Sequence, residues 1–238
     1  MKTNSRIQLR VQRFDPKKDS VPRYDVFNIS TRPRMTVLDA LFQVLEEKDH
    51  LLAFRYSCRS AVCGSCAMII NGRPRLACST QINTLGSSVT IAPLPHLPVV
   101  RDLIVDLHSF YQKINAVKPY FESQEPYPQR EFIQMPKDRA ALDLAIDCIE
   151  CGACFSSCPL TWTDPEYPGP AALLRAYRFI ADTRDAERVE RLRAVGCEDG
   201  IWRCHTVFNC TDSCPKAINP TYFIQLLKRK AIKLSIGQ

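Results

Sequence analysis

The chain has 238 residues, 45% hydrophobic and 24% charged, which suits one large domain or two small ones with real cores. Glycine is scarce at 8 and proline abundant at 17, so rigid turns and connectors are expected, and no apolar stretch reaches the ~18 residues that cross a bilayer. The formal charge of +7 is uneven: residues 1–106 hold 15 Lys and Arg against 9 Asp and Glu, and residues 107–238 hold 17 against 16.

The opening MKTNSRIQLRVQRF has no apolar run behind its charges, so a secretory signal is not expected. It enters an alternating pattern at once, which argues against an uncleaved transit peptide. Arg6–Phe14 alternates Ile7, Leu9 and Val11 with Gln8, Arg10 and Gln12 and predicts a half-buried strand. Tyr24–Ile29 predicts a second. Thr36-Val-Leu-Asp39 has the form of a capping box, opening a helix whose apolar face carries Val37, Leu38, Leu41, Val44 and Leu45. Ala67–Ile70 and Arg73–Ala77 around Asn71-Gly72 predict a hairpin, and Ser88–Ala92 a last strand. A mixed sheet with one helix across it is the expected first half, ending at 106.

Pro93-Leu-Pro-His-Leu-Pro98 predicts a stiff linker. Beyond it only helices are expected: one carrying Val105, Leu107, Phe110, Tyr111 and Ile114, one over Ala171–Ala181 behind Gly169-Pro170, and one capped by Asn219-Pro220 running to about Lys233.

Twelve cysteines without an export signal point to metal binding or redox chemistry before a disulfide scaffold. Cys58-x4-Cys63-x2-Cys66-x11-Cys78 has the spacing of plant-type 2Fe–2S ferredoxins, in which one loop presents three thiolates and a distant segment adds the fourth. Gly64 and Ser65 keep that loop thin, so amides can point at sulfur. A zinc loop is the competing reading, for which an x4 gap is unusual. Cys148-x2-Cys151-x2-Cys154-x3-Cys158-Pro159 is the bacterial ferredoxin run, whose fourth cysteine serves another cluster. Its partner is Cys204-x5-Cys210-x3-Cys214-Pro215, with Val207 where a middle cysteine would stand. The cross-over rule then groups Cys148, Cys151, Cys154 and Cys214 around a 4Fe–4S cluster. It leaves Cys158, Cys204 and Cys210 as a three-thiolate site, suited to 3Fe–4S with a vacant corner facing the hydrocarbon of Val207. Cys197 is left over and is expected to be a small buried apolar residue; the alternative, a further ligand, has no motif behind it. Oxidised clusters with their thiolates carry about −2 each. That cancels most of the basic excess and removes the case for a nucleic-acid partner.

These motifs, in this order, resemble the iron–sulfur subunit of succinate dehydrogenase and fumarate reductase. The resemblance covers nearly the whole chain: SCRSAVCGSC (57–66), LPVVRDLIVDL (97–107), IDCIECGACFSSCP (146–159), GPAALLRAYRF (169–179) and RCHTVFNCTDSCPKAINP (203–220). It implies an α+β chain with an N-terminal β-grasp plant-type ferredoxin domain (1–106) and an all-α bacterial-ferredoxin-like domain (107–238). It also implies a place between an FAD-containing flavoprotein and membrane anchor subunits, on the cytoplasmic face of a prokaryotic membrane. Electrons from succinate would run from FAD through 2Fe–2S, 4Fe–4S and 3Fe–4S to quinone, or in reverse in a fumarate reductase, with no catalytic acid or base on this chain. By the same resemblance Pro159, Trp162 and His205 adjoin a quinone. Many members carry a Trp-Trp pair where this chain has Trp162-Thr163, so the match there is partial.

His205 has two readings, a quinone partner or a structural histidine bonded to sulfur or carbonyl. Trp162 lines a quinone pocket or anchors on a partner. Arg55, Arg59, Arg73 and Arg75 offset the first cluster's charge, dock the flavoprotein, or are plain surface. Lys228-Arg229-Lys230 with Lys233 reads as a solvated helix end in preference to a patch that meets acidic lipid headgroups or a partner. A freely diffusing two-domain ferredoxin and a zinc-stabilised binding module are the alternatives of other classes.

Overall fold

Alternation along β1 (Arg6–Arg13) puts Ile7, Leu9 and Val11 in the core and Arg6, Gln8 and Arg10 at the surface. The computed structural model describes residues 6–123 and 125–236. The expectation for the first five residues lies outside them. β2 (Arg23–Ser30) runs antiparallel to β1 with Ile29 opposite Ile7. α1 (Val37–Glu47) starts at Thr36, where the Asp39 amide donates to Thr36 Oγ1 at 3.1 Å and the Thr36 amide donates back to Asp39 Oδ2 at 2.9 Å. Its Val37, Leu38, Ala40, Leu41 and Val44 join Leu9 and Val11 in one core.

β3 (Ala67–Ile70) and β4 (Arg73–Leu76) form the expected hairpin, with Asn71 and Gly72 at φ +48° and +75°. β5 (Ser88–Ala92) lies parallel to β1 and antiparallel to β3, so the sheet order is β2-β1-β5-β3-β4.

The alternation of β1 continues to Arg13, which is also buried. Its guanidinium meets Asp25 and Asp102 at 3.0 Å and pairs with Asp49. Asp102 in turn accepts from the amides of Phe14 (3.1 Å) and Ala53 (3.0 Å). This polar knot ties the end of β1 to the segment that leads into the Cys58 loop.

Several expectations are corrected. Pro93–Pro98 is not a linker: Leu94 and Leu97 are buried, and the chain continues in the same compact unit through β6 (Val99–Arg101) and β7 (Ile104–Val105), a hairpin where no strand was expected. Val105 is therefore in a strand, and the next helix begins only at His108 as α2 (His108–Ala116). The first unit comprises Met1–Leu107 and Ile149–Ser156, the second His108–Cys148 and Ser157–Gln238. A division at 106/107 does not anticipate residues 149–156 packing with the first unit; Ile149 and Cys151 rest on its core.

The remaining helices are α3 (Pro136–Ala140), α4 (Ala153–Ser157), α5 (Pro159–Thr163), α6 (Gly169–Ala181), α7 (Arg188–Val195), α8 (Asn209–Asp212) and α9 (Pro220–Ile236). In the second unit α6 is buried almost all round, with Leu173, Leu174, Tyr177 and Ile180 among its core residues, and it packs on α2, α7 and α9. Pro170 occupies its first turn, as the sequence predicts, and Asn219 Oδ1 accepts from the Tyr222 amide at 2.9 Å at the head of α9. No helix among the described residues is long and apolar enough to cross a membrane.

Candidate iron–sulfur sites

The Cys58–Cys66 loop folds inward on three residues of positive φ: Arg59 (+56°), Ala61 (+55°) and Gly64 (+73°). That curvature turns amides toward sulfur. Ser60, Val62 and Cys63 donate to Cys58 Sγ at 3.4, 3.4 and 3.3 Å, and Cys58 donates to Cys63 Sγ at 3.5 Å. The Ala61 amide donates to Cys78 Sγ at 3.3 Å, so the distant fourth cysteine has joined the loop. The Ser65 hydroxyl, the Ser65 amide and the Cys58 amide hold the Cys63 thiol down at about 6. Burial, with the charges of Cys78 and Cys63 beside it, pushes Cys66 up to about 12. Four sulfurs ringed by N–H donors fit a group that wants thiolates with outer hydrogen bonds. Among the described residues no three His, Cys, Asp or Glu side chains converge on a single-ion site. Arg59 stacks on Phe42 and Tyr56, 4.7 and 5.6 Å from the ring centres, which moors the loop to α1.

Cys151 and Cys154 lie in the first unit, Cys148 and Cys214 in the second. Within the first, Gly64 abuts the bacterial-type run: a Cβ at Gly64 would come 2.8 Å from Cys151 Cβ and from the Ile149 carbonyl oxygen. Within the second, Arg175 Nη2 donates to the Cys148 carbonyl at 3.4 Å.

Cys158, Cys204 and Cys210 lie in the second unit and interact electrostatically with one another. Burial pushes the Cys158 and Cys210 thiols up; amides of Leu160 and Thr161 act against it at Cys158, and hydroxyls of Thr221 and Thr211 at Cys210. The two segments that carry these cysteines are held by protein contacts. Asn209 Nδ2 donates to the Ser157 carbonyl at 3.1 Å, and Arg203 pairs with Asp164 at 2.6 Å. Lys228 is not a solvated helix end: it reaches back to donate to the Cys204 carbonyl at 2.9 Å and lies over the Trp202 ring.

Tyr167, 1% exposed, is the residue that sequence reasoning missed. Burial first, then the charges of Cys204, Cys158 and Cys210 nearby, raise the pKa of its phenol far above the ordinary value. No spacing rule marks it, because it belongs to neither cysteine motif. Thr221 was missed for the same reason.

Pro159 opens α5 directly after Cys158. Trp162 and His205 are both exposed. Val207 is 51% exposed in this chain. One expectation fails here. Cys197 is exposed, not buried, because it lies in the turn beyond α7, where its thiol donates to the Ala194 carbonyl. No disulfide joins any cysteine among the described residues.

Residues 8–112 match the family described as a 2Fe-2S iron-sulfur cluster binding domain, and residues 145–218 match a 4Fe-4S dicluster domain. The chain is 43% identical to the mitochondrial succinate dehydrogenase [ubiquinone] iron-sulfur subunit 1 of Oryza sativa subsp. japonica, over 90% of this chain and 81% of that protein. It is 41% identical to the succinate dehydrogenase iron-sulfur subunit of Paracoccus denitrificans, over 97% and 89%. A chain of the Mycobacterium smegmatis Sdh1 complex in the apo form superposes with a TM-score of 0.88 at 28% identity, covering 97% of both chains. Cluster-type cysteine loops, a mixed sheet followed by helices, and end-to-end likeness to these subunits converge: the chain belongs to the family of succinate dehydrogenase iron–sulfur subunits, components of an oxidoreductase complex.

Proposed function

We propose that this chain conducts electrons taken from succinate at the FAD of a flavoprotein partner to a quinone held at a membrane anchor. Its first unit acts as a β-grasp ferredoxin domain holding 2Fe–2S on Cys58, Cys63, Cys66 and Cys78. By their spacing Cys148, Cys151, Cys154 and Cys214 are the ligands assigned to 4Fe–4S, and Cys158, Cys204 and Cys210 of the helical ferredoxin domain those assigned to 3Fe–4S. The clusters supply one-electron carriers; the chain supplies thiolates, hydrogen-bond donors and spacing. The observation that carries the reading is the contrast between two cysteine sets: four thiols gathered by loop amides at one, three around a buried tyrosine at the other.

Exposed Tyr56 and Val62 at the Cys58 loop suit a flavoprotein contact, and exposed Trp162, Val207 and Phe208 suit an apolar anchor with the quinone near Pro159, Trp162 and His205. The complex would then sit on the cytoplasmic face of a prokaryotic membrane. EPR of the anaerobically purified complex tests this. An oxidised 3Fe–4S signal as prepared, and 2Fe–2S and 4Fe–4S signals on reduction, are expected; a complex lacking the 3Fe–4S signal would refute the three-ligand assignment. Succinate:quinone and fumarate:quinol rates on the same sample set the direction, and a strongly fumarate-biased ratio reassigns the chain to a quinol:fumarate reductase.

A further inference from the structure

Burial leaves two hydroxyls no water to bond, and both turn to sulfur. Tyr167 is 1% exposed and Thr221 2% exposed. Thr221 Oγ1 lies 3.2 Å from Cys210 Sγ, and the buried Tyr167 hydroxyl lies near enough to Cys204 for that thiol's charge to act on it. A thiolate has no proton to give, so with iron bound each hydroxyl can only be the donor.

Both donors are held in place by their surroundings. Lys113 donates to the Tyr167 carbonyl at 2.7 Å and to that of Pro165, fixing the loop that carries the phenol. Thr221 stands in the first turn of α9. Thr211 Oγ1 lies 3.4 Å from Thr221 Oγ1 and donates to Asn219 Oδ1 at 2.9 Å, so a polar chain backs the threonine.

We propose that Tyr167 and Thr221 are positioning residues that set the redox potential of the three-thiolate site, donating hydrogen bonds to Cys204 and Cys210 respectively. A hydrogen bond to a cluster thiolate stabilises the more negative, reduced state and raises the potential. In a buried site the effect is large, because water cannot screen it. The consequence is an electron sink at the quinone end of the chain, tuned by two oxygen atoms. The inference rests on the proposed 3Fe–4S assignment.

The test is an EPR-monitored redox titration of the assembled complex carrying Tyr167→Phe, Thr221→Val or both. Each single variant removes one donor with little change of shape. The 3Fe–4S midpoint is expected to fall in each, to fall further in the double variant, and to stay near the parent in Thr221→Ser, which keeps a hydroxyl. The 2Fe–2S midpoint should not move. Unchanged 3Fe–4S midpoints in both single variants would overturn the proposal. So would loss of the 3Fe–4S signal from both, since the hydroxyls would then build the site rather than tune it. A missing 3Fe–4S signal in the unmodified complex is a different result: it refutes the underlying assignment.

Discussion

Gly64 of the plant-type loop stands against Cys151 of the bacterial-type run, so close that a single added carbon would lie 2.8 Å from the Cys151 Cβ. Two cysteine loops far apart in sequence thus touch backbone to backbone, with the missing side chain as the condition. At φ +73° the residue also occupies the left-handed region that glycine enters without cost.

Gly64→Ala should therefore fail twice over, through backbone strain and through overlap with neighbours that include backbone atoms. The expected cost is roughly 2–4 kcal/mol. Thermal unfolding of the complex and integration of the 2Fe–2S EPR signal check it; near-parental values of both would show that the Cys151 segment can yield.

Ser65→Ala removes the hydroxyl that does most to hold the Cys63 thiol low. The 2Fe–2S midpoint should drop while the 3Fe–4S midpoint stays, the mirror of the Tyr167 and Thr221 variants. A redox titration that follows both signals separates the two ends.

Val207→Cys offers a fourth thiolate at the position where the second run lacks one. Conversion of the 3Fe–4S signal to that of a second 4Fe–4S cluster is expected. Survival of the 3Fe–4S signal unchanged would mean that Val207 does not mark the vacant corner.

Asp182, fully buried at the end of α6, meets Arg178 at 3.0 Å and Arg184 at 2.9 Å. Burial alone would raise its pKa, but the Arg184 bonds and the charges of Arg184 and Arg178 prevail and hold the carboxyl below its ordinary 3.8. A depressed folded pKa means stability that is complete above the unfolded value and lost as pH falls through the folded one. Asp182→Asn should cost about 1–3 kcal/mol at neutral pH and flatten the loss of stability below pH ~4. Denaturant midpoints against pH provide the check.

Arg13→Met removes the charge that faces Asp102, whose side chain is 4% exposed. Leaving that carboxylate buried without its cation is expected to cost about 3–5 kcal/mol. Urea unfolding of the complex measures it, and a loss under 1 kcal/mol would show that the backbone amides of Phe14 and Ala53 suffice.

The sequence by itself determined the cysteine inventory and most elements. Alternation in Ile7, Leu9 and Val11, the Thr36–Asp39 box, the Asn71-Gly72 turn and Pro170 each act within a few residues, so local chemistry is enough to specify them. Only the tertiary structure decided what depends on distant segments meeting. It brought Cys78 to the Ala61 amide, Gly64 to Cys151, Lys228 to the Cys204 carbonyl, and Tyr167 and Thr221 to sulfur. It also buried Leu94 and Leu97 inside a segment whose prolines read as a linker, and exposed Cys197. Ligand spacing is a property of the chain. The hydrogen bonds that tune a ligand come from whatever the fold packs beside it, and no periodicity records that.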